Sequence, residues 1–182
     1  GYVGGLVGRN HFYYGDRNAA ITNCYAHGDV TATGYAGGLV GYNYYEGGSY
    51  TTAIQYCYSI GAVTGSRSTG GIVGENNGVV TASYYNSETS GQTDTVKGTP
   101  VTTADMKVSS TYAGWNFNQT WAMSENVYDG YPYLQAIIPV ERVAVTGISL
   151  KSSTLSLVEG SKEILTATVI PENATNKEVV WK

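Results

Sequence analysis

Three Gly-Gly pairs at a constant spacing constrain the fold of this chain more than any other feature. They begin the phrases GGLVGRN, GGLVGYN and GGIVGEN, at Gly4, Gly37 and Gly70, which are 33 residues apart. The same register is kept by Asn10, Asn43 and Asn76. Self-similarity at a fixed period is the sequence mark of a stacked array. The repeat therefore predicts copies that pack on one another.

The copies are predicted to form strands and turns, because their short apolar runs are bounded by Gly and Asn and show no helical stripe. Each copy is expected to contain a strand GLVG, a variable stretch, a strand such as ITNCYA and a strand such as DVTAT. The third copy keeps this order only if it is aligned with seven residues fewer after Asn76 than the other copies have at the equivalent position. One copy cannot bury its apolar face alone, whereas stacked copies can. The fold class is therefore all-β, with a parallel β-solenoid (β-helix-like) of about three rungs over residues 1–90.

The glycines are expected at tight corners, since Gly reaches φ > 0 without a Cβ clash. Because side chains alternate along a strand, Val40 is predicted to face the core and Leu39 to pack elsewhere. The aligned asparagines would form a hydrogen-bonded ladder or act as independent turn residues. Cys24 and Cys57 stand one period apart, close enough for a disulfide. A column of buried thiols continued by Ser83 is favoured, because parallel stacking orients a disulfide poorly.

The repeat GGLVGYN…I.NCYA.G.V resembles the GLUG motif of bacterial surface proteins, which also occurs in the non-catalytic region of IgA-specific metallopeptidases. From Val143 the chain is similar to the start of a group 2 bacterial immunoglobulin-like domain, through VTGISL, LSLVEG, LTATVIP and VVW. These resemblances imply an extracellular module, secreted or at the bacterial cell surface, that adheres or displays and catalyses no reaction.

Residues 91–139 are predicted to close the solenoid. TTADMKVSSTY is expected to form one short helix, with Thr102 as N-cap and Asp105 three residues later. The aromatic residues after it would cover the apolar end of the array or form a ligand site; they are Trp115, Phe117, Trp121, Tyr128, Tyr131 and Tyr133. Residues 140–182 are predicted to be a truncated immunoglobulin-like sandwich. Its last part, with Trp181, is expected to pack poorly.

Composition and spacing argue against several classes of function. The net charge of −4 disfavours nucleic acid as a partner, and no apolar run approaches the roughly 20 residues of a membrane span. His11 and His27 lack the partners of a catalytic triad or a zinc site, and the acidic residues of the array do not converge. We therefore expect no catalytic residue, no metal and no cofactor.

The variable stretches are the candidate binding site, since insertions in successive repeats lie on one face and tyrosine offers a rigid amphipathic surface. The candidates are His11, Phe12, Tyr13, Tyr14, Tyr42, Tyr44, Tyr45 and Tyr50. They would bind host or matrix glycans or proteins, or they would fold back as a cover over the rungs. The predicted function is a non-catalytic surface-display or adhesion module of a larger protein. The alternative is an accessory region of a large extracellular protease or polysaccharide-acting enzyme.

Overall fold

A computed structural model describes residues 1–12, 19–46, 51–137, 144–150, 156–162, 164–172, 174 and 177–179. This part of the chain is mostly β-strand. The first copy contains β1 (Tyr2–Gly4), β2 (Val7–Phe12), β3 (Ala19–Thr22), β4 (Tyr25–Ala26) and β5 (Val30–Ala32). The second contains β6 (Tyr35–Gly37), β7 (Val40–Tyr45), β8 (Thr52–Gln55), β9 (Tyr58–Ser59) and β10 (Val63–Gly65). The third contains β11 (Thr69–Gly70), β12 (Val73–Asn76), β13 (Val79–Thr81) and β14 (Tyr84–Asn86).

Equivalent strands of successive copies pair in parallel, which is the pairing expected of stacked rungs. The sheets β1-β6-β11, β12-β7-β2 and β13-β8-β3 each run through all three copies. Val7 is opposite Val40 and Ile21 is opposite Ile54, both at the 33-residue offset. Beyond the shortened loop of the third copy, Val80 is opposite Ile54. The alignment that removes seven residues after Asn76 is therefore confirmed.

The stretch ITNCYA is two strands, where the sequence predicted one. Asn23 lies between β3 and β4 with a φ of 52°, and the equivalent Tyr56 and Ala82 have φ values of 54° and 45°. These residues are in the left-handed region, which turns the chain and ends the strand. The positive-φ corner of each copy is thus built on a residue other than glycine.

The motif glycines do not adopt positive φ, so the prediction that they supply left-handed corners is wrong. They allow two backbones to approach closely. A Cβ added at Gly37 would lie 2.0 Å from Val40 O and 2.5 Å from Gly74 N. A Cβ at Gly41 would lie 2.5 Å from Gly8 O and from Val3 N. The absence of a side chain lets the sheet of β1 and β6 pack directly on the sheet of β2 and β7.

The core of the array contains both aliphatic residues of the motif in the second and third copies, and the prediction that Leu39 packs outside it is wrong; Leu6 of the first copy is exposed. Leu39, Val40, Ile72 and Val73 are fully buried in one cluster with Ile54. Leu39 precedes β7 and lies in a bend, where strand alternation does not apply. The N–H groups of Leu39 and Val40 both donate to Ile72 O, at 3.0 and 2.9 Å.

The predicted asparagine ladder is confirmed. Asn10 Nδ2 donates to Asn43 Oδ1 at 2.8 Å, and Asn43 Nδ2 donates to Asn76 Oδ1 at 2.7 Å. Asn76 ends the ladder by donating to Gly78 O at 3.0 Å. Each side-chain amide thus donates a hydrogen bond to the amide oxygen of the next asparagine. These bonds lie inside the array, where Asn43 is fully buried.

The end of the third copy is covered by residues 85–101. They contain α1 (Ser87–Ser90) and β15 (Thr99–Val101), which pairs with β14 in parallel. The ring of Tyr85 is fully buried over the core. Lys97 Nζ donates to Ser68 Oγ at 2.7 Å, to Gly74 O at 2.7 Å and to Thr69 O at 3.1 Å. These contacts occupy carbonyl groups that a fourth rung would otherwise pair.

The later aromatic residues cover the flank of the array, and their predicted position over its end is wrong. β16 (Trp121–Ala122) and β17 (Tyr133–Leu134) form an antiparallel pair. Trp115 and Trp121 pack with Tyr58 and Tyr84 in a second buried cluster. Trp121 Nε1 donates to Asn23 Oδ1 of the first copy at 3.3 Å. The closing segment therefore returns along the side of the rungs to the first copy.

The predicted helix in TTADMKVSSTY is wrong, because this stretch forms two 3₁₀ turns, Asp105–Lys107 and Ser109–Thr111. Its predicted cap is present: the Asp105 N–H donates to Thr102 Oγ1 at 3.2 Å. Val108 has extended backbone angles and separates the turns. A third 3₁₀ turn spans Tyr128–Gly130.

In the C-terminal part, β18 (Gly147–Leu150) pairs antiparallel with β19 (Ala167–Ile170). The immunoglobulin-like sandwich stays a prediction, and Trp181 lies outside the described residues.

We expect Asn23→Ala to lower the free energy of unfolding by about 1–3 kcal/mol. The substitution removes the acceptor of the Trp121 indole and places alanine at a left-handed backbone position that asparagine tolerates better. Urea unfolding followed by tryptophan fluorescence measures the change. Thr22→Ala, at the exposed neighbouring position, is the control. An unchanged midpoint for Asn23→Ala would show that this contact does not hold the closing segment.

Candidate functional site

The predicted site residues lie on β2 and β7, and the structure brings part of the set together. The register places Arg9 opposite Tyr42, His11 opposite Tyr44 and Phe12 opposite Tyr45. The backbone position of Phe12 is described. Tyr13, Tyr14 and Tyr50 lie outside the described residues.

An aromatic strip runs along the outer surface of the first two copies. We use this name for Tyr2, Tyr35, Tyr42, Tyr44 and His11. Ring centroids are 5.1 Å apart for Tyr2 and Tyr35, 4.9 Å for Tyr2 and Tyr42, 5.1 Å for Tyr42 and Tyr44, and 5.2 Å for His11 and Tyr44. The planes within each pair are 16–29° apart, so the rings are stacked.

Two features of the fold create the strip. Along β7 the side chains alternate, so Asn43 enters the core while Tyr42 and Tyr44 face outward and are half-buried. β1 and β6 add Tyr2 and Tyr35 because the glycines of the motif let these strands pack closely on β2 and β7. Sequence reasoning missed Tyr2 and Tyr35, although their 33-residue spacing is visible in the sequence.

Two arginines lie against the strip, and the sequence analysis missed both of them. Arg9 Cζ is 5.8 Å from the ring centroid of Tyr2 and 5.7 Å from those of Tyr42 and Tyr44. Arg67 Cζ is 5.8 Å from the Tyr35 centroid. Both arginines are exposed, and these distances are within the range of cation–π attraction.

The surroundings of Tyr42 disfavour the ionised form of its phenol group. Burial raises the pKa of Tyr42, and the neighbouring Tyr44, Tyr2 and Glu75 raise it further, while Arg9 opposes them. His11 Nε2 is 3.7 Å from Glu46 Oε1, which makes an ion pair when the imidazole is protonated. The phenol groups of the strip thus lie beside two guanidinium groups.

The stacking determines which parts of the rings a ligand can reach. Rings at these separations cover one another's faces, so the accessible parts are ring edges and hydroxyl groups. Within the described residues, none of the four phenol groups of the strip makes a hydrogen bond to another residue. The strip therefore favours a ligand that exchanges hydrogen bonds over one that lies flat on an open ring.

Both cysteines are free and share one column with Ser83, but the predicted burial holds for Cys57 and is wrong for Cys24, which is half-buried. Cys24 Sγ donates to Thr22 O at 3.2 Å, Cys57 Sγ donates to Gln55 O at 3.1 Å, and Ser83 Oγ donates to Thr81 O at 3.0 Å. Each side chain thus bonds the carbonyl two residues before it. The neighbouring Cys24 thiol, together with burial, raises the pKa of Cys57, and the neighbouring Cys57 thiol lowers the pKa of Cys24 to about 7.

We expect iodoacetamide to alkylate Cys24 in the native protein and to leave Cys57 unmodified. Cys24 is half-buried and its pKa is about 7, so its labelling rate should reach half its maximum near that pH. Mass spectrometry of peptides from a pH series measures both rates. Cys57→Ala removes the neighbouring thiol and should move the midpoint toward the ordinary thiol value of about 8.5. Equal labelling of both cysteines would contradict the buried column.

His27 lies where the first copy meets the closing segment. Its Nε2 is 2.6 Å from the hydroxyl of Tyr58, which donates to Pro132 O at 2.6 Å. Burial lowers the pKa of His27, while Asp129 opposes the shift. The imidazole is therefore neutral at neutral pH, and its Nε2–H donates to Tyr58. Through Tyr58, His27 is therefore hydrogen-bonded to the closing segment, and this role is structural.

Across the described ranges, no group of three or more His, Cys, Asp or Glu side chains is placed to hold a metal ion. Among the same residues, no helix has the length and apolar character to cross a membrane.

Comparison with known proteins supports the resemblance of the first copy. The family model of the GLUG motif matches residues 1–31. A protein of Evansella cellulosilytica, described as a putative Gly-rich membrane protein, is 35% identical over 135 residues. The match covers 73% of this chain and 12% of that relative's length. No solved structure matches the chain.

Proposed function

We propose that this chain is a non-catalytic surface-display or adhesion module of a larger secreted or wall-anchored bacterial protein. It folds as a short β-solenoid of about three rungs and binds a glycan or protein through the aromatic strip. The observation that carries this proposal is the strip itself, in which stacked aromatic rings and two exposed arginines share one outer surface.

Three further observations support the proposal. The GLUG match covers the first copy, and the relative from Evansella cellulosilytica is described as a membrane protein, which favours a place at the cell envelope. That relative is far longer than this chain, as expected for a module of a larger protein. The shortened third copy keeps its strand pairing without the variable stretch, so the longer stretches of the first two copies serve something other than stacking.

The test is binding of the chain to a panel of mucin glycans and matrix proteins. Tyr42→Ala/Tyr44→Ala removes the centre of the strip, and Tyr128→Ala/Tyr133→Ala removes two tyrosines of the closing segment. Far-UV circular dichroism and urea midpoints establish that each variant folds. Binding that the first variant loses and the second keeps supports the proposal. Binding that both variants keep, or no binding by the wild type, would contradict it.

A further inference from the structure

The arginines beside the aromatic strip make hydrogen-bond donors available for a ligand. Arg9 is exposed and contacts three rings. The ion pair found among the described residues is that of His11 with Glu46, and Arg9 and Arg67 take part in none. An aromatic ring restrains a guanidinium group without consuming its five N–H donors. Both arginines thus keep their donors for an anion.

The neighbouring carboxylates limit the kind of anion. Glu75 is opposite Tyr42 on β12, two strand spacings from Arg9, which is about 10 Å. Glu46 Oε1 is 3.7 Å from His11 Nε2 and pairs with it when the imidazole is protonated. The surface therefore has two separate cationic points and no broad positive field. A nucleic acid requires many neutralised phosphates, and the net charge of −4 opposes it.

The remaining groups of the strip indicate the rest of the ligand. Tyr2, Tyr35, Tyr42 and Tyr44 place four phenol hydroxyl groups beside the two guanidinium groups, and each hydroxyl both donates and accepts. β7, which carries Tyr42 and Tyr44, is paired on both sides by β2 and β12, so a peptide strand could add only beside the edge strands β1 and β2 and not along the strip's centre. A hydroxyl-rich chain with spaced anionic groups matches these donors and acceptors.

We propose that the aromatic strip, with Arg9 and Arg67, binds a linear acidic polysaccharide that carries carboxylate or sulfate groups. This inference rests on the proposed function and specifies its ligand class. Arg9 and Arg67 bind the anionic groups, and the phenol hydroxyls of the strip exchange hydrogen bonds with the sugar hydroxyls.

The experiment compares binding of the full chain to polygalacturonate, heparin and uncharged dextran by isothermal titration calorimetry. The test variant is Arg9→Gln/Arg67→Gln, and the matched control is Lys107→Gln/Lys162→Gln. The control removes the same charge from exposed positions outside the strip, and Lys107 also lies over a tyrosine ring, 5.1 Å from the Tyr131 centroid.

The expected result is binding to an acidic polysaccharide and none to dextran. The affinity should fall by about tenfold or more in the arginine variant, since each charged hydrogen bond contributes strongly. It should stay within about twofold in the control and weaken as NaCl is raised from about 0.05 M to about 0.3 M.

Several outcomes would overturn the inference, and they can be distinguished from one another. Equal binding of dextran, or full affinity in the arginine variant, would reject the acidic ligand while leaving the strip as a binding surface. Loss of binding in both charge variants would show that binding depends on the overall charge of the protein and not on Arg9 and Arg67 in particular. No binding to any polysaccharide or to the mucin and matrix panel would reject the proposed function as well.

Discussion

Gly37→Ala should destabilise the protein by about 3 kcal/mol or more, because the added methyl group would overlap three backbone atoms. Its Cβ would lie 2.0 Å from Val40 O, 2.5 Å from Gly74 N and 2.8 Å from Val73 Cα. A flexible side chain could rotate away from such a contact, but paired strands cannot. The methyl group would have to separate β6 from β7 and β12, which would also disturb Tyr35 and Tyr42 of the strip. Urea unfolding followed by far-UV circular dichroism measures the loss.

Gly28→Ala is the matched control for this prediction. A Cβ at Gly28 would meet no heavy atom within 4 Å, and the residue is exposed. The same chemical change should therefore shift the free energy of unfolding by no more than about 0.5 kcal/mol. If Gly37→Ala were equally mild, close backbone packing would not be the reason for the motif glycines.

Asn43→Ala should lower the free energy of unfolding by about 2–4 kcal/mol. Asn43 is fully buried and is the middle member of the ladder. The substitution leaves the Asn10 amide without its acceptor and Asn76 Oδ1 without its donor from Asn43. Each lost bond costs about 1 kcal/mol, and a buried polar group without a partner adds to that cost. Thermal and urea unfolding provide the measurement.

The control is Asn77→Ala, since Asn77 is exposed and its backbone N–H, which donates to Asn43 O at 2.8 Å, is retained. Its effect should stay within about 0.5 kcal/mol. A double-mutant cycle of Asn10→Ala with Asn43→Ala should show a coupling energy of about 0.5 kcal/mol or more. Strict additivity would mean that the asparagines act independently, as turn residues would.

The repeat allowed the stacking partners to be predicted from the sequence. Asn10, Asn43 and Asn76 lie in one column, and Cys24 and Cys57 are followed by Ser83 as expected. In a parallel array the period sets the strand register, so each residue meets its equivalent one copy away. Even the shortened third copy could be aligned, because its second half returns to the same residue types.

The candidate site was predicted only in part, because it combines residues from different sheets. His11, Tyr42 and Tyr44 were identified from the variable stretches. Tyr2 was missed, since its contact with Tyr42 depends on how closely β1 packs on β2. Arg9 was missed although the period places it opposite Tyr42, since only the side-chain positions show its guanidinium group over the rings. The period relates a residue to its own column and carries no information on the neighbouring column. Leu39 was misplaced for a related reason, because a bend interrupts strand alternation before β7.

The sequence alone determined the repeat, the parallel register and the side chains that meet from copy to copy, because a period imposes the same neighbours on every rung. Only the tertiary structure decided the course of the closing segment. Trp121 reaches Asn23, which is 98 residues away, and Tyr58 reaches Pro132. The repeat period does not relate the members of these pairs to each other. Their contacts arise because the aromatic side chains are buried against the flank of the array and form hydrogen bonds with polar groups there.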